Sequence, residues 1–332
     1  MSARILVTGA DGQLGRALVR AAGGRADLVA RGRAALDIAD RAALERFFAA
    51  GPVDAIINAA AYTDVEAAES DHAAARRANA QGPRLLALLC RQAAIPLLHV
   101  STDFVFDGTL GRPYREADAT NPLNIYGLSK REGEEAVAAV WDRHIILRVG
   151  WAYSLPGRNF VTRMLDRARQ GGEVPVVADQ FGAPTHHDDI AAALLAMAER
   201  VLSPGAAAPY GLYHFAATGS ASRAAVAERI FAALREREAG IATVRPVSGT
   251  TGATGPTGAA GAAGATGAAG AAGATGARRP GNATLDCGLI GRTFGIIPRP
   301  WQERLALTLE QALGRAGEEE TAAWANDRPA NP

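Results

Sequence analysis

The sequence predicts an α/β fold: a doubly wound parallel sheet with a smaller C-terminal lobe. Three observations predict it. Short apolar runs alternate with helix-period stretches over residues 1–150, a glycine-rich turn follows the first run, and the alternation loosens from about Trp151. The elements follow in order. Arg4–Thr8 (RILVT) reads as a buried strand, followed by the turn and a helix to about Ala21. Ala26–Ala30 is the second strand, Ala42–Ala49 a helix and Ala55–Asn58 the third strand. Asp71–Gln92 reads as one long helix with Leu85, Leu86, Leu88 and Leu89 turned inward. Pro96–Ser101 and Ile145–Val149 are strands flanking a helix over Tyr126–Val140. In the lobe, Phe160–Arg169, Asp188–Leu202, Ser222–Glu236 and Trp301–Leu313 look helical. Short strands are expected there at Val174–Ala178, Leu212–Ala216 and Thr243–Val247. The division is therefore 1–150 for the sheet domain and 151–316 for a lobe interleaved with it. Sheets of this kind bind ligands at the carboxyl ends of their strands, so functional residues should follow strands directly.

Composition narrows the function. The 332 residues are 48% hydrophobic and 21% charged with a net charge of +1, enough for a large core. The balance offers no electrostatic case for nucleic acid or an anionic membrane surface. Cys90 and Cys287 cannot form a disulfide scaffold, no Cys/His group has zinc spacing, and no metal site is expected. The start, MSARILVTGA, lacks a signal-peptide pattern, and no apolar run reaches about 18 residues. A soluble, cytoplasmic protein is expected. Residues 248–277 carry glycine at every third position from Gly249 to Gly276, but the single Pro256 cannot support a collagen helix. This stretch reads as a flexible insert, and 317–332 as a frayed tail.

All but one of the 35 cationic side chains are arginine, the exception being Lys130. A chain so biased keeps lysine where a compact point charge is needed. Lys130 lies four residues after Tyr126 in YGLSK, so both share one helical face. A tyrosine hydroxyl titrates near pH 10; a neighbouring ammonium favours its ionised form and draws it toward the working range. Ser101-Thr102-Asp103 ends the preceding strand, and the Thr102 hydroxyl can polarise a substrate carbonyl. At the first turn, Gly9, Gly12 and Gly15 in TGADGQLG allow backbone to approach a pyrophosphate at a helix N-terminus. This makes the sheet domain a Rossmann-type NAD(P)-binding domain. After strand two the chain reads Val29-Ala30-Arg31-Gly32-Arg33, with no acid for an NAD ribose, so Arg31 or Arg33 favours NADPH, with NADH the alternative. Asp37 can meet the adenine, and the small residues of Asn58–Ala61 leave room for a flat cofactor.

TGADGQLG, NAAAYTDVEAAES, STDFVFDG, YGLSK, LRVGWAY, DQFGAPT and ARRPGN occur in the order seen in dTDP-4-dehydrorhamnose reductases. The chain resembles that family of extended short-chain dehydrogenase/reductases over about residues 4–313, apart from the insert. The resemblance implies reduction of a dTDP-4-keto-6-deoxy sugar nucleotide by NADPH, with Tyr126 as proton donor. It places Lys130 on the nicotinamide ribose, Thr102 and Asp103 at the sugar, Trp151 against the substrate and Arg279 at the phosphates. Cofactor contacts match Gly12, Gln13, Leu14, Asp37, Ile38, Ala61, Tyr62, Thr63 and Val100. Two departures stand out. Where some members place glutamates that share Mg²⁺ across a dimer, this chain has Ala17, Asp188 and Gly288; and Arg223 replaces a frequent tryptophan. A homodimer is left open. His186 and His187 read as a helix cap rather than a metal pair. Two other readings of the fold are a sugar-nucleotide dehydratase or epimerase, and a regulatory subunit without catalysis. Phe104 after Asp103 removes the second acid of the dehydratases, and the intact Tyr126/Lys130 pair weighs against the regulatory subunit.

Overall fold

The computed structural model describes residues 3–24, 27–203, 205, 208–249 and 276–314. Ala26 of the expected second strand, Thr250–Thr275 of the insert and the 317–332 tail lie outside the described residues. In chain order the elements are β1 (Arg4–Thr8), α1 (Gln13–Ala22), β2 (Asp27–Arg31), α2 (Arg41–Ala49), β3 (Ala55–Asn58), α3 (Val65–Ala68), α4 (His72–Arg76), α5 (Gly82–Ala93), β4 (Leu97–Thr102), α6 (Ile125–Val140) and β5 (His144–Val149). There follow β6 (Ala152–Tyr153), α7 (Phe160–Ala168), β7 (Glu173–Val177), β8 (Phe181–Gly182), β9 (Thr185–His186), α8 (His187–Leu202), β10 (Gly211–Phe215), β11 (Ala221–Ser222), α9 (Arg223–Arg235), β12 (Thr243–Val247), α10 (Gly288–Phe294) and α11 (Trp301–Gly314).

Six parallel strands form the main sheet in the order β10-β5-β4-β3-β1-β2. Both faces of the central strands are buried, so they carry near-continuous apolar runs whose alternating residues serve different cores. Ile5, Val7, Ile57, Leu98, Ile145 and Leu147 face one core with α1, α8 and α10. Leu6, Ile56, Leu97 and Ile146 face the other, against Leu44, Leu86, Cys90 and Val137. Each fully buried side chain of this size contributes about 1.5–3 kcal/mol. A third core, built from α7, α9, α11 and β7, belongs to the lobe. Register aligns the carboxyl ends of the strands: Thr8 lies beside Asn58 and Arg31, and Thr102 beside Val149.

Two expectations change. Leu212–Ala216, expected as a lobe strand, lies in β10, which pairs with β5 and completes the main sheet. An apolar pattern shows that a segment is a strand but not which strand it will join. The single helix over Asp71–Gln92 is instead α4 and α5, separated by a π turn at Arg77–Gln81. Pro83 has no N–H to donate back to Asn79, so the regular ladder cannot run through this point.

Candidate active site

The glycine turn between β1 and α1 is shaped by close contacts. Gly9 has φ +68°, and a Cβ there would fall 2.6 Å from Ala60 Cα; a Cβ on Gly15 would fall 2.5 Å from Ala10 Cα. Only glycine fits at either position. Gly12 differs: a Cβ there would meet only the Gly9 carbonyl, at 3.2 Å, so packing alone demands it less. Gly12 also caps α1 without a side-chain bond, leaving the first N–H groups of the helix without a side-chain acceptor. Leu14 turns its side chain into the core. The Gln13 side chain faces the lobe: Oε1 accepts from Ser154 (3.1 Å) and Asn159 (3.0 Å), and Nε2 donates to the Arg158 carbonyl (3.3 Å).

The loop Ala61–Thr63 after β3 is held by Asn79. Its Oδ1 accepts from Tyr62 N (2.8 Å), while Nδ2 donates to the Tyr62 carbonyl and to Ser129 Oγ (both 3.0 Å). Ser129 in turn donates to the Tyr126 carbonyl at 2.8 Å. The π turn thus aims a buried amide between a loop and α6. Sequence reading missed Asn79, although an asparagine inside a helix just before Gly-Pro was a usable signal. Asp37 is paired with Arg77 (2.8 Å), and Ile38 is a core residue. Arg31 ends β2, donates to the Ala30 carbonyl (2.9 Å) and lies 5.9 Å over the Phe47 ring.

Asn124 starts α6 by accepting from Gly127 N at 2.8 Å, and its Nδ2 donates to the Arg278 carbonyl at 2.7 Å. Tyr126 and Lys130 follow on one face. Lys130, 2% exposed, donates from Nζ to the Val100 carbonyl at 2.6 Å. Burial lowers its pKa to about 8, with Glu134 opposing. Glu134 forms a fully buried two-pronged pair with Arg148 at 2.9 and 2.6 Å. Burial pushes the Tyr126 hydroxyl up to about 12, opposed by its hydrogen bond with Thr102. Desolvation of the phenolate is the largest influence on this hydroxyl in the folded chain and favours the protonated tyrosine. Thr102 donates to Asp103 Oδ1 at 3.0 Å, and burial raises Asp103 to about 7.

Thr102, Asp103 and Tyr126 line a cleft of about 510 Å³ between sheet and lobe. It brings together Gln13, Thr63, Thr102, Asp103, Tyr126, Trp151 and Arg279 from the sequence-derived set. Gly9, Gly12, Gly15, Arg31, Asp37, Ile38, Ala61, Tyr62, Val100 and Lys130 stand outside its lining. The lobe adds Arg158, Arg163 and Arg223. In an arginine-rich chain, nothing in the sequence marks Arg158 and Arg163 as site residues. Burial lowers the pKa of Arg163, and its neighbours Arg279 and Arg158 add to this. Arg279 pairs with Glu66 at 2.8 Å, and Glu66 also accepts from Ala277 N at 2.8 Å. Trp151 holds φ +42°, a strained conformation for a tryptophan at a ligand cleft. His186 caps α8 by accepting from Asp188 N, and Asp188 is held by Arg20 (2.9 Å) and Arg304 (3.2 Å). Among the described residues no helix is long and apolar enough to cross a membrane.

A family model described as RmlD substrate binding domain matches residues 3–313. A Sinorhizobium fredii protein named dTDP-4-dehydrorhamnose reductase is 38% identical over 90% of this chain and 94% of its own length. A Streptomyces antibioticus protein, named probable dTDP-4,6-dihydroxy-2-methyloxan-3-one 4-ketoreductase, is 40% identical over 74% of this chain and 81% of its own. The crystal structure of dTDP-4-dehydrorhamnose reductase from Bacillus anthracis, in complex with NADP, superposes with a TM-score of 0.80 at 30% identity, covering 94% of this chain and 100% of that one.

Proposed function

Because the chain belongs to the RmlD substrate-binding-domain family of dTDP-4-dehydrorhamnose reductases, we propose that Tyr126, Lys130 and Thr102 carry its reaction, the NADPH-dependent reduction of dTDP-4-dehydrorhamnose to dTDP-L-rhamnose. One observation supports the assignment above others. Tyr126 and Thr102 line one cleft, and Lys130 lies buried one turn further along α6 on the face that carries Tyr126.

The residues present fit the cofactor. Above Gly12 there is no side chain, and the opening N–H groups of α1 are free of side-chain caps, which suits a pyrophosphate. Gly9 and Gly15 hold that turn, and the backbones of Gln13 and Leu14 would meet the phosphates. Asp37, Ile38, the Ala61–Thr63 loop and Val100 would border the adenine and nicotinamide halves. Arg31 or Arg33 would meet a 2′-phosphate after β2. When bound, NADPH supplies the hydride.

The chain's own residues do the rest. When the ketone binds, the Thr102 hydroxyl turns from Asp103 to donate to its oxygen, and Tyr126, kept protonated by desolvation, gives that oxygen a proton. Lys130 keeps two N–H donors beyond the one on Val100; these suit a ribose, and its charge steadies the tyrosine as the proton leaves. Asp103 stands at the sugar, Trp151 lies against it, and Arg279 with Arg158 and Arg163 takes the phosphates. Asp103 is followed by Phe104, so no acid pair is present for a dehydratase. The reading includes a cytoplasmic location, and light scattering decides between monomer and homodimer.

Absorbance of NADPH tests it. Wild-type protein oxidises NADPH when given dTDP-4-dehydrorhamnose, and Tyr126→Phe lowers kcat on the order of 10²-fold or more. Turnover close to wild type in that variant would remove Tyr126 from the mechanism. Isomerisation without net oxidation would replace the reductase by an epimerase.

A further inference from the structure

Two groups on the cleft floor complement each other and are not used in the reduction step. Asp103 is 2% exposed; Oδ1 is taken by Thr102, while Oδ2 is buried with no partner. Oδ2 sits close against Gly150, where a Cβ would fall 3.3 Å from it. Arg223 opens α9 on the lobe side. Its Nε donates to Gln180 Oε1 at 3.1 Å, and its Cζ lies 4.3 Å over the Trp151 ring and 5.4 Å over Phe160. This stacking fixes the plane of the fork and leaves its terminal N–H groups without a hydrogen bond to the described residues. Arg223 and Asp103 line the same cleft and attract each other, yet no ion pair joins them.

A ligand group that completes both sides must donate to a carboxylate oxygen and accept from a guanidinium. A hydroxyl does both, whereas a phosphate would satisfy Arg223 and repel Asp103. An aromatic ring beside the pair suits the C–H face of a sugar. The Streptomyces antibioticus relative shows why one hydroxyl matters. The ketone in its name, a 4,6-dihydroxy-2-methyloxan-3-one, has no oxygen at the carbon next to the anomeric centre, the sugar C2. Two relatives of this chain, 38% and 40% identical to it, thus bear names that differ at that hydroxyl.

We propose that Arg223, acting with Asp103, reads the C2 hydroxyl of the 4-keto sugar and sets the preference of this chain for the oxygenated substrate over its 2-deoxy counterpart. The inference rests on the reductase reading above. A site built to hydrogen-bond a hydroxyl discriminates strongly against the analogue lacking it, because its own polar groups are then left unpaired.

The experiment measures NADPH oxidation by wild type, Arg223→Met and Arg223→Lys with dTDP-4-dehydrorhamnose and with dTDP-4,6-dihydroxy-2-methyloxan-3-one. The inhibition constant of dTDP, which has no sugar, is measured alongside. Wild type prefers the first ketone. Arg223→Met lowers the ratio of the two kcat/KM values by about tenfold or more, chiefly through KM. Arg223→Lys, which keeps the charge but not the fork, falls between, and it also tests the idea if the methionine variant does not fold. The inhibition constant of dTDP moves by less than about threefold, since no phosphate contact is lost. An unchanged ratio in both variants overturns the proposal. So does a loss of dTDP affinity as large as the loss for the ketone, which would make Arg223 a phosphate ligand. Wild type that oxidises NADPH with neither ketone refutes the reductase reading itself; wild type that reduces both equally refutes only the role of Arg223.

Discussion

The two walls of the cleft are built on opposite principles. On the sheet side, the polar groups behind the lining find partners within the protein, and Asp103 Oδ2 in the lining does not. Asn79 serves Tyr62 and Ser129, Lys130 serves Val100, and Arg148 is locked to Glu134. On the lobe side, Arg158, Arg163, Arg223 and Arg279 crowd one another, with Glu66 as a direct partner for only one of them. The support behind the sheet wall is complete before any ligand arrives, whereas the lobe wall is finished by the ligand. Substitutions on the first wall should therefore cost stability or kcat, and those on the second should cost KM.

The largest effect should come from Arg148→Met. It leaves the Glu134 carboxylate buried beside an apolar chain and should cost about 3–5 kcal/mol, seen as a fall in Tm of roughly 10 °C. A fall of only a degree or two would mean that the sheet wall is less rigid than its bonding implies.

Arg163→Leu should do the opposite. Its guanidinium is half-buried among like charges, so its removal leaves the Tm of the free protein unchanged or higher. KM for the sugar nucleotide should rise about tenfold, because a charge-assisted bond to phosphate is lost. If Tm falls and KM holds, Arg163 belongs with the sheet wall.

Asp103 sharpens the comparison by pH. Burial lifts its pKa from the ordinary 3.8 to about 7, so the folded chain holds this proton more tightly than the unfolded chain. That stabilisation is fully present below pH 4 and is lost as pH rises through 7. Asp103→Asn should match wild type in Tm near pH 4 and exceed it by several degrees at pH 8. A difference that does not change with pH would show that ionisation of Asp103 costs the fold nothing.

The smallest effect concerns the glycine-repeat stretch. Its flanks are pinned on the described residues: Gly249 N and Ser248 Oγ bond Asp179, and Ala277 N bonds Glu66. Replacing Thr250–Thr275 by a Gly/Ser linker should leave kcat within about threefold and Tm within a few degrees. A larger loss would mean that the repeat supports the lobe wall.

The same contrast decides what could be read from sequence. The glycine turn and the Tyr126/Lys130 face are contiguous motifs whose chemistry is set by short-range spacing, and they stand where the alternating strands and helices placed them. The arginine wall draws Arg158 and Arg163, Arg223, and Arg279 from three segments that meet only through the tertiary fold. Arginine type carried no signal either, because nearly every cation in the chain is arginine. The place of β10 was hidden for a similar reason. The chain leaves the sheet after β5, builds part of the lobe and then returns, and no local pattern records that return. Asn79 is an intermediate case: its helix break was written in Pro83, but its partners lay 17 and 50 residues away.

Glu66 gives the cleft a counterion of its own. Its carboxylate occupies Arg279 and the Ala277 amide before any phosphate is present. An incoming diphosphate therefore exchanges one anion for another at that position and displaces fewer dissolved ions than the three phosphate-binding arginines alone would require. The apparent affinity should then fall only gently as ionic strength rises, because part of the screening that salt would provide is already built into the protein.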